Sequence, residues 1–177
     1  YDPAAVVVAY FREHPHDALM CSFFQFVSAI PLGLLAVTLW SRLQFLGVRA
    51  VGPSIALLGG LLTTVSVLVS SSIGWTMVFP GVASSDGALR ALYYLGFALG
   101  GVGYSVPMGL FIAGVAVPSG FMKLLPRWMV VFGLVLAVVG EASCLALLTP
   151  KLTPLIPLTR FPGFVWLIIA GFRLAGR

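Results

Sequence analysis

Glu141 is the residue of this sequence best placed to do chemistry, because it is an acid inside an otherwise apolar stretch. A charged carboxylate at membrane depth is costly, so it is normally paired, protonated or used to move ions. Glu141 is therefore either a proton or cation relay, or a structural anchor that holds its helix against a neighbour. Gln25 and Tyr104 are expected to offer hydrogen bonds to it from other helices. The cations expected on the same side of the membrane are Arg160, Arg90 and Lys151.

No other set of residues matches a catalytic or metal-binding pattern. The sequence has no HExxH motif, and no histidine falls within an apolar stretch. His14 and His16 flank a proline and are expected to be exposed loop residues. Cys21 and Cys144 lie in separate apolar stretches without CxxC spacing, so each is expected to be a buried free thiol, with a disulfide between them as the alternative. We therefore expect no catalytic residue, no metal site and no cofactor.

The composition indicates the environment in which these residues lie. Of 177 residues, 60% are hydrophobic and only 8% are charged, and the mean hydropathy is +1.08. Soluble domains carry about a quarter charged residues, so this chain is typical of an integral membrane protein. The net charge of +5 comes from basic residues scattered singly between apolar runs, which argues against a nucleic-acid-binding surface.

The apolar runs predict an all-α fold, a polytopic transmembrane helix bundle with about five spans. A short helix over residues 1–17 is expected to lie on the outer surface, with Asp2 as its N-cap and Pro15 as its end. Asp17 is the expected N-cap of the first span, and residues 149–162 are expected to form a rigid non-helical connection. The last run is short, so a half-membrane helix is the alternative to a full span. The predicted spans are 18–40, 53–79, 89–117, 128–148 and 163–177.

The third run is expected to be the central helix of the bundle. It contains a stripe of small residues at helical spacing, and such stripes let the backbones of membrane helices approach closely. A proline within this stripe predicts a kink. The expected helix-packing residues are Gly96, Gly100, Gly103, Pro107 and Gly114.

Two stretches of the sequence match at an offset of 76 residues: Ile30-Pro-Leu-Gly-Leu34 and Val106-Pro-Met-Gly-Leu110. Each is followed by a basic loop and another apolar run. This pattern predicts two helix hairpins inserted in the same orientation, plus a terminal helix. Parallel repeats occur in transporters that bind at the repeat interface, but they also arise when a bundle duplicates as a scaffold.

Basic residues predict the orientation in the membrane. One side would carry two basic loops and the C-terminus without any acid, and the positive-inside rule places this side in the cytoplasm. Tyr1 would then lie outside, which requires either an odd number of upstream spans or a translocated N-terminus, and one upstream helix is the simplest expectation. The basic residues expected in the cytoplasm are Arg42, Arg49, Lys123, Arg127, Arg173 and Arg177.

Four segments resemble small bacterial multi-pass inner-membrane proteins grouped only as domains of unknown function. The resemblance covers nearly the whole chain and implies a bacterial inner membrane, a helix ahead of the first segment and no assigned activity. The segments are Asp2-Pro-Ala4 with Ala9-Tyr-Phe11 and His14-Pro15, Arg42-Leu-Gln-Phe-Leu-Gly-Val-Arg49, Leu125-Pro-Arg-Trp128 and Pro157-Leu-Thr-Arg-Phe-Pro-Gly-Phe-Val-Trp166.

Abundant packing stripes without catalytic groups favour a non-catalytic protein that binds membrane lipids and other membrane protein subunits or itself, as an accessory or structural subunit. The first alternative is a small transporter or ion pathway centred on Glu141 and the proline-kinked helices. The second is the binding of a lipid or other apolar ligand.

Overall fold

The computed structural model describes residues 4–176, and these residues form an all-helical bundle without strands. Most of the chain lies in eight α-helices. A π-helical segment spans Ala98–Val102, and single 3-10 segments span Ser143–Leu147 and Pro150–Leu152. The helices are α1 (Ala4–Glu13), α2 (Pro15–Phe45), α3 (Gly52–Met77), α4 (Pro80–Ala83), α5 (Asp86–Phe97), α6 (Gly103–Phe121), α7 (Arg127–Ala142) and α8 (Leu155–Ala175).

Within residues 4–176, five helical segments are long and apolar enough to cross a membrane, so the chain is a multi-pass membrane protein. The third segment joins α5, the π-helical segment and α6, and the last two include the adjoining 3-10 turns. The five segments are Pro15–Phe45, Gly52–Met77, Asp86–Phe121, Arg127–Leu147 and Pro150–Ala175.

Helix α6 occupies the centre of the bundle. It packs antiparallel to α3 on one side and to α7 on the other, while α2 packs on α3 and α8 closes the bundle against α7, α6 and α2. Many of its large side chains are fully buried, including Tyr104, Met108, Phe111 and Ile112. The central position follows from the small residues of α6, which allow neighbours on both sides to come close.

The first span begins earlier than the sequence predicts. Asp17 is not its N-cap: α2 begins at Pro15 and is preceded by His14, so Asp17 lies in the first turn. Proline at the first helical position lacks only an N–H that would have no partner there, and its fixed φ suits the helix. Pro15 therefore ends α1 and starts α2, although we predicted only the first role. The predicted N-cap Asp2 lies outside the described residues.

The last span also begins earlier than predicted. Residues 149–162 are not a non-helical connection, because a 3-10 turn occupies Pro150–Leu152 and α8 begins at Leu155. Pro157 falls in the first turn of α8, where helical N–H groups have no partner, while Pro162 is tolerated inside the helix. With 21 residues, α8 is about 32 Å long, which matches the ~30 Å hydrocarbon thickness.

The central span contains a π-helical segment that the sequence did not predict. It separates α5 from α6, and Pro107 follows it by one turn. Proline has no N–H, so the carbonyl group of Gly103, four residues earlier, loses its helical partner. The hydroxyl of Ser66 in α3 donates to this carbonyl at 2.6 Å. A neighbouring helix thus satisfies the backbone group that Pro107 leaves free, as the apolar surroundings require.

The turns that end α2 and α6 have the same geometry at the same 76-residue offset. Among residues 4–176 just two have a positive φ: Gly47 at 83° and Lys123 at 54°. In each turn the next residue donates its N–H to the carbonyl five residues before it. These bonds join Val48 to Leu43 at 3.1 Å and Leu124 to Ser119 at 2.8 Å.

Candidate functional site

Glu141 lies on the exposed surface of α7 rather than in the interior of the bundle. The backbones of α6 and α7 cross beside it, since a Cβ atom added to Gly109 would lie 2.9 Å from the carbonyl oxygen of Ala137 and 3.3 Å from the Oε1 atom of Glu141. Within residues 4–176, Glu141 forms neither an ion pair nor a side-chain hydrogen bond. The Glu141 carboxylate therefore lies beside Gly109, at the edge of the contact between α6 and α7, and faces outward.

Tyr104 and Arg160 are brought together, but not with Glu141. The guanidinium carbon of Arg160 lies 4.6 Å from the centre of the buried Tyr104 ring, which is a cation–π contact. The Tyr104 hydroxyl points to the Sδ atom of Met108 at 3.7 Å. The aromatic ring, rather than the acid, is thus the partner of the Arg160 cation.

Gln25 takes part in a third, separate contact. Its Nε2 atom donates to the hydroxyl of Ser70 in α3 at 2.9 Å. Gly100 lies against the same serine, because a Cβ atom on Gly100 would come within 2.8 Å of the Ser70 Cβ atom. The four residues of the predicted polar site therefore lie in three places: at this contact, at the Tyr104–Arg160 pair, and at Glu141.

The small stripe of the central helix faces α3. A Cβ atom on Gly114 would overlap the backbone nitrogen of Ala56 and lie 2.8 Å from the carbonyl oxygen of Gly52. The approach is reciprocal, because a Cβ atom on Gly59 would lie 2.6 Å from the carbonyl oxygen of Pro107. At the other end of the stripe the helices are less closely packed, because a Cβ atom added to Gly96 would lie 3.4 Å from a methyl group of Ile73. Gly103 and Gly100 face Ser66 and Ser70 between these ends.

Several side chains that hold the helices together were not singled out from the sequence. Trp166 is buried and donates its Nε1–H to the Met129 carbonyl at 2.9 Å. Arg42 donates to the last carbonyls of α8, at 2.9 Å and 3.0 Å. Two signals would have suggested the contact between Arg42 and α8. One is a basic residue at the end of α2, and the other is the adjacent end of α8, which has no cap of its own. Ser85 is the N-cap of α5, since its hydroxyl accepts from the N–H of Ala88 at 3.3 Å.

The histidines and cysteines form no cluster. No group of three His, Cys, Asp or Glu side chains that could hold a metal ion exists among the described residues. His14 and His16 are exposed, as predicted, but His16 lies in the first turn of α2 and not in a loop. His14 lies 3.8 Å from the carboxylate of Asp17. Cys21 and Cys144 are free and exposed on the outer surface of the bundle, so the prediction of buried thiols is wrong.

Grooves on the surface of residues 4–176 include the following three. The first, about 790 Å³, lies between the end of α6 and the start of α7 and has Lys123 and Arg127 on its rim. A second, about 400 Å³, lies between α2 and α3 and is lined by apolar and serine side chains. The third, about 360 Å³, lies beside Arg12 near the opposite end of the bundle. Glu141 lines none of these three grooves.

Comparison with protein-family models, curated proteins and solved structures finds no match. The function is therefore argued from the residues themselves: an outward-facing carboxylate on α7, an interior held by glycine contacts and buried hydrogen bonds, and a groove with two basic residues.

Proposed function

We propose that this protein is a non-catalytic accessory or structural subunit of a membrane complex, which binds a second membrane protein through the outward face of α7. The observation that carries the proposal is the position of Glu141. It lies on the exposed surface of a membrane-crossing helix and has no ionic or side-chain hydrogen-bonding partner among the described residues. Acidic residues in membrane spans nearly always face protein or a water-filled cavity, so a covering partner is expected.

The surroundings of Glu141 suit a helix-packing contact. Val138 is 68% exposed one turn before it, and Leu145 and Leu148 are exposed after it. The apolar side chains give area for packing, and the single carboxylate gives specificity, because a partner must offer a cation or a hydrogen-bond donor at the same depth. We expect an Arg, Lys, Asn or Gln side chain of the partner helix to meet Glu141.

The alternative of an ion or proton pathway requires a continuous polar route to Glu141. Gln25 is bonded to Ser70, and Arg160 is stacked on Tyr104, so neither is oriented to relay a proton to the acid. We therefore favour the docking role over transport. The second alternative, lipid binding, is taken up below at a different place.

We infer that the two hairpins, α2–α3 and α6–α7, are copies of one unit that has duplicated. The matching Pro-x-Gly motifs, the positive φ at Gly47 and Lys123 and the equivalent turn hydrogen bonds all share the offset of 76 residues. In the same register, Gly33 contacts Thr64 and Gly109 contacts Gly140. The duplication explains the scaffold and requires no transport site between the copies.

For the cellular setting we propose a bacterial inner membrane, with the end formed by the α2–α3 and α6–α7 turns and the end of α8 in the cytoplasm. That end, called the basic end below, carries Arg42, Arg49, Lys123, Arg127 and Arg173 among the described residues, and no acid. The positive-inside rule supports this orientation. The visible N-terminus would then lie outside.

Native mass spectrometry of protein extracted gently from its own membrane tests the docking role. We expect a co-purifying polypeptide at fixed stoichiometry in wild type and its loss in Glu141→Leu. The matched control is Ser72→Ala, because Ser72 is also an exposed polar residue of a span but bonds to its own helix, at Leu68. A bare monomer in wild type, or equal loss of the partner in both variants, would refute the proposal.

A homo-oligomer would identify the partner as a second copy. Cys144 gives a direct check on this outcome, because it is exposed and lies three residues beyond Glu141. In a Cys21→Ala background, a disulfide formed under mild oxidation would place the two α7 faces together.

A further inference from the structure

The groove at the basic end combines apolar walls with free positive charge. Its walls come from the facing sides of α6 and α7 and include Val117, Phe121, Val130 and Leu134. Phe121 is 85% exposed and therefore borders the groove without filling it. An open, apolar channel of this kind along the side of a membrane bundle fits an acyl chain.

The rim of the same groove fits an anionic headgroup. Lys123 and Arg127 both line it, and no acidic residue occurs between Pro118 and Trp128. Within the described part of the chain, neither basic side chain has an ion pair or a hydrogen-bond acceptor. Basic pockets between membrane helices are a recurrent way to bind phosphate-containing lipid headgroups. The exposed Trp128 lies beside them, a residue type enriched at the membrane–water interface.

The backbone at Lys123 indicates that this position does more than close a turn. Its φ of 54° is in the left-handed region, which glycine adopts freely and a lysine does not. The equivalent turn, at the end of α2, has Gly47 at this position. The α6–α7 turn therefore carries a charged side chain where the backbone favours glycine, and strain of this kind is concentrated at functional positions.

The two other grooves do not share this chemistry. The groove between α2 and α3 has no basic residue in its lining. The groove beside Arg12 has one, but this guanidinium is already bonded to Asp86 and to the carbonyl groups of Ala83 and Ser84. Free positive charge next to an apolar channel is thus particular to the α6–α7 groove among these three.

We propose that the α6–α7 groove binds one anionic phospholipid, with an acyl chain between the helices and the headgroup phosphate at Lys123 and Arg127. This site is independent of the proposed docking face. It lies at the other end of α7, about 21 Å along the helix from Glu141. Loss of either interaction is expected to leave the other intact.

The test compares phosphatidylglycerol with phosphatidylcholine of the same acyl chains, bound to the purified full chain and counted by native mass spectrometry at about 0.15 M salt. We expect one tightly retained phosphatidylglycerol in wild type. Each basic residue near a membrane surface contributes about 1 kcal/mol, so Lys123→Gly and Arg127→Gln should each weaken retention about fivefold. Arg49→Gln is the matched control, since Arg49 is an exposed basic residue of the other turn and lies outside the groove.

Lys123→Gly separates binding from folding. It removes the charge while restoring the residue that the backbone favours, so the melting temperature in lipid-free detergent should stay the same or rise. Glycerol phosphate, which has the headgroup without the chains, should not compete with the lipid. Equal retention of the two lipids in wild type, an equal effect of Arg49→Gln, or competition by glycerol phosphate would each overturn the proposal.

Discussion

Replacing Gly114 by alanine tests whether close backbone contact between α3 and α6 holds the bundle together. The added methyl group would lie 2.7 Å from the Cα atom of Ala56 and 2.8 Å from the carbonyl oxygen of Gly52, where carbon contacts are ordinarily about 3.5–4.0 Å. Because these neighbours are backbone atoms, the helices must separate by about 1 Å. Overpacking of this kind costs about 1–3 kcal/mol.

The matched control is Gly96→Ala, in the same central span and facing the same helix. Its added methyl group would meet just a methyl group of Ile73 at 3.4 Å, which is ordinary contact. Both variants gain about 1 kcal/mol of helix propensity from the change of Gly to Ala. The difference in stability between the two variants therefore reports the steric clash at Gly114 alone.

The assay is thermal unfolding of both variants in one detergent, followed by circular dichroism. We expect the melting temperature of Gly114→Ala to lie roughly 2–12 °C below that of Gly96→Ala, since 1 kcal/mol corresponds to roughly 2–4 °C for a chain of this size. If the two variants melt together, α3 and α6 do not depend on this contact, and the central place of α6 would need another explanation.

Three further substitutions test the contacts that position the helices, all by melting temperature in the same detergent. Ser85→Ala removes the N-cap of α5 and should destabilise by about 1 kcal/mol, whereas Ser85→Asp should retain stability. Trp166→Phe removes the hydrogen bond from the indole to the Met129 carbonyl and should cost about 1 kcal/mol. Arg42→Gln should loosen the end of α8 by about 1 kcal/mol and speed proteolysis there, while Arg49→Gln should not. Unchanged melting in any of the three would show that the contact contributes nothing measurable.

The number of spans could be predicted from the sequence, because a long apolar run in a membrane forms a helix that pairs its own backbone N–H and carbonyl groups. The sequence predicts their ends less well, because a proline such as Pro15 or Pro157 is compatible both with the end of one helix and with the first turn of the next. The start of α8 was therefore placed eight residues too late. The π-helical segment was not predicted, because the same apolar residues are compatible with an α-helix and with a π-helix.

The surroundings of Glu141 were harder to predict, since they depend on which face of α7 meets α6. Gly140 is at the contact, with its added Cβ 2.9 Å from the Gly109 Cα atom. The next residue points about 100° further round the helix. Glu141 therefore lies just outside the interface, and a rotation of one residue would have buried it. The apolar run places Glu141 within a membrane-crossing helix, but it does not decide whether this position faces protein or lipid.

The proposed duplication explains why α6, rather than α2, became the central helix. In the α6 copy, Pro107 faces α3, whereas the equivalent Pro31 is exposed. The same face carries glycines in the central span, from α5 through α6, and larger side chains in α2, so the backbone of α2 cannot be approached there as that of the central span is by α3. Phe24 is 66% exposed, as expected of a side chain that contacts lipid. After divergence at these positions, α6 can pack against helices on both sides, whereas the equivalent face of α2 carries larger side chains that suit contact with lipid. The paired positions are Met20 and Gly96, Phe24 and Gly100, Val27 and Gly103, and Thr38 and Gly114.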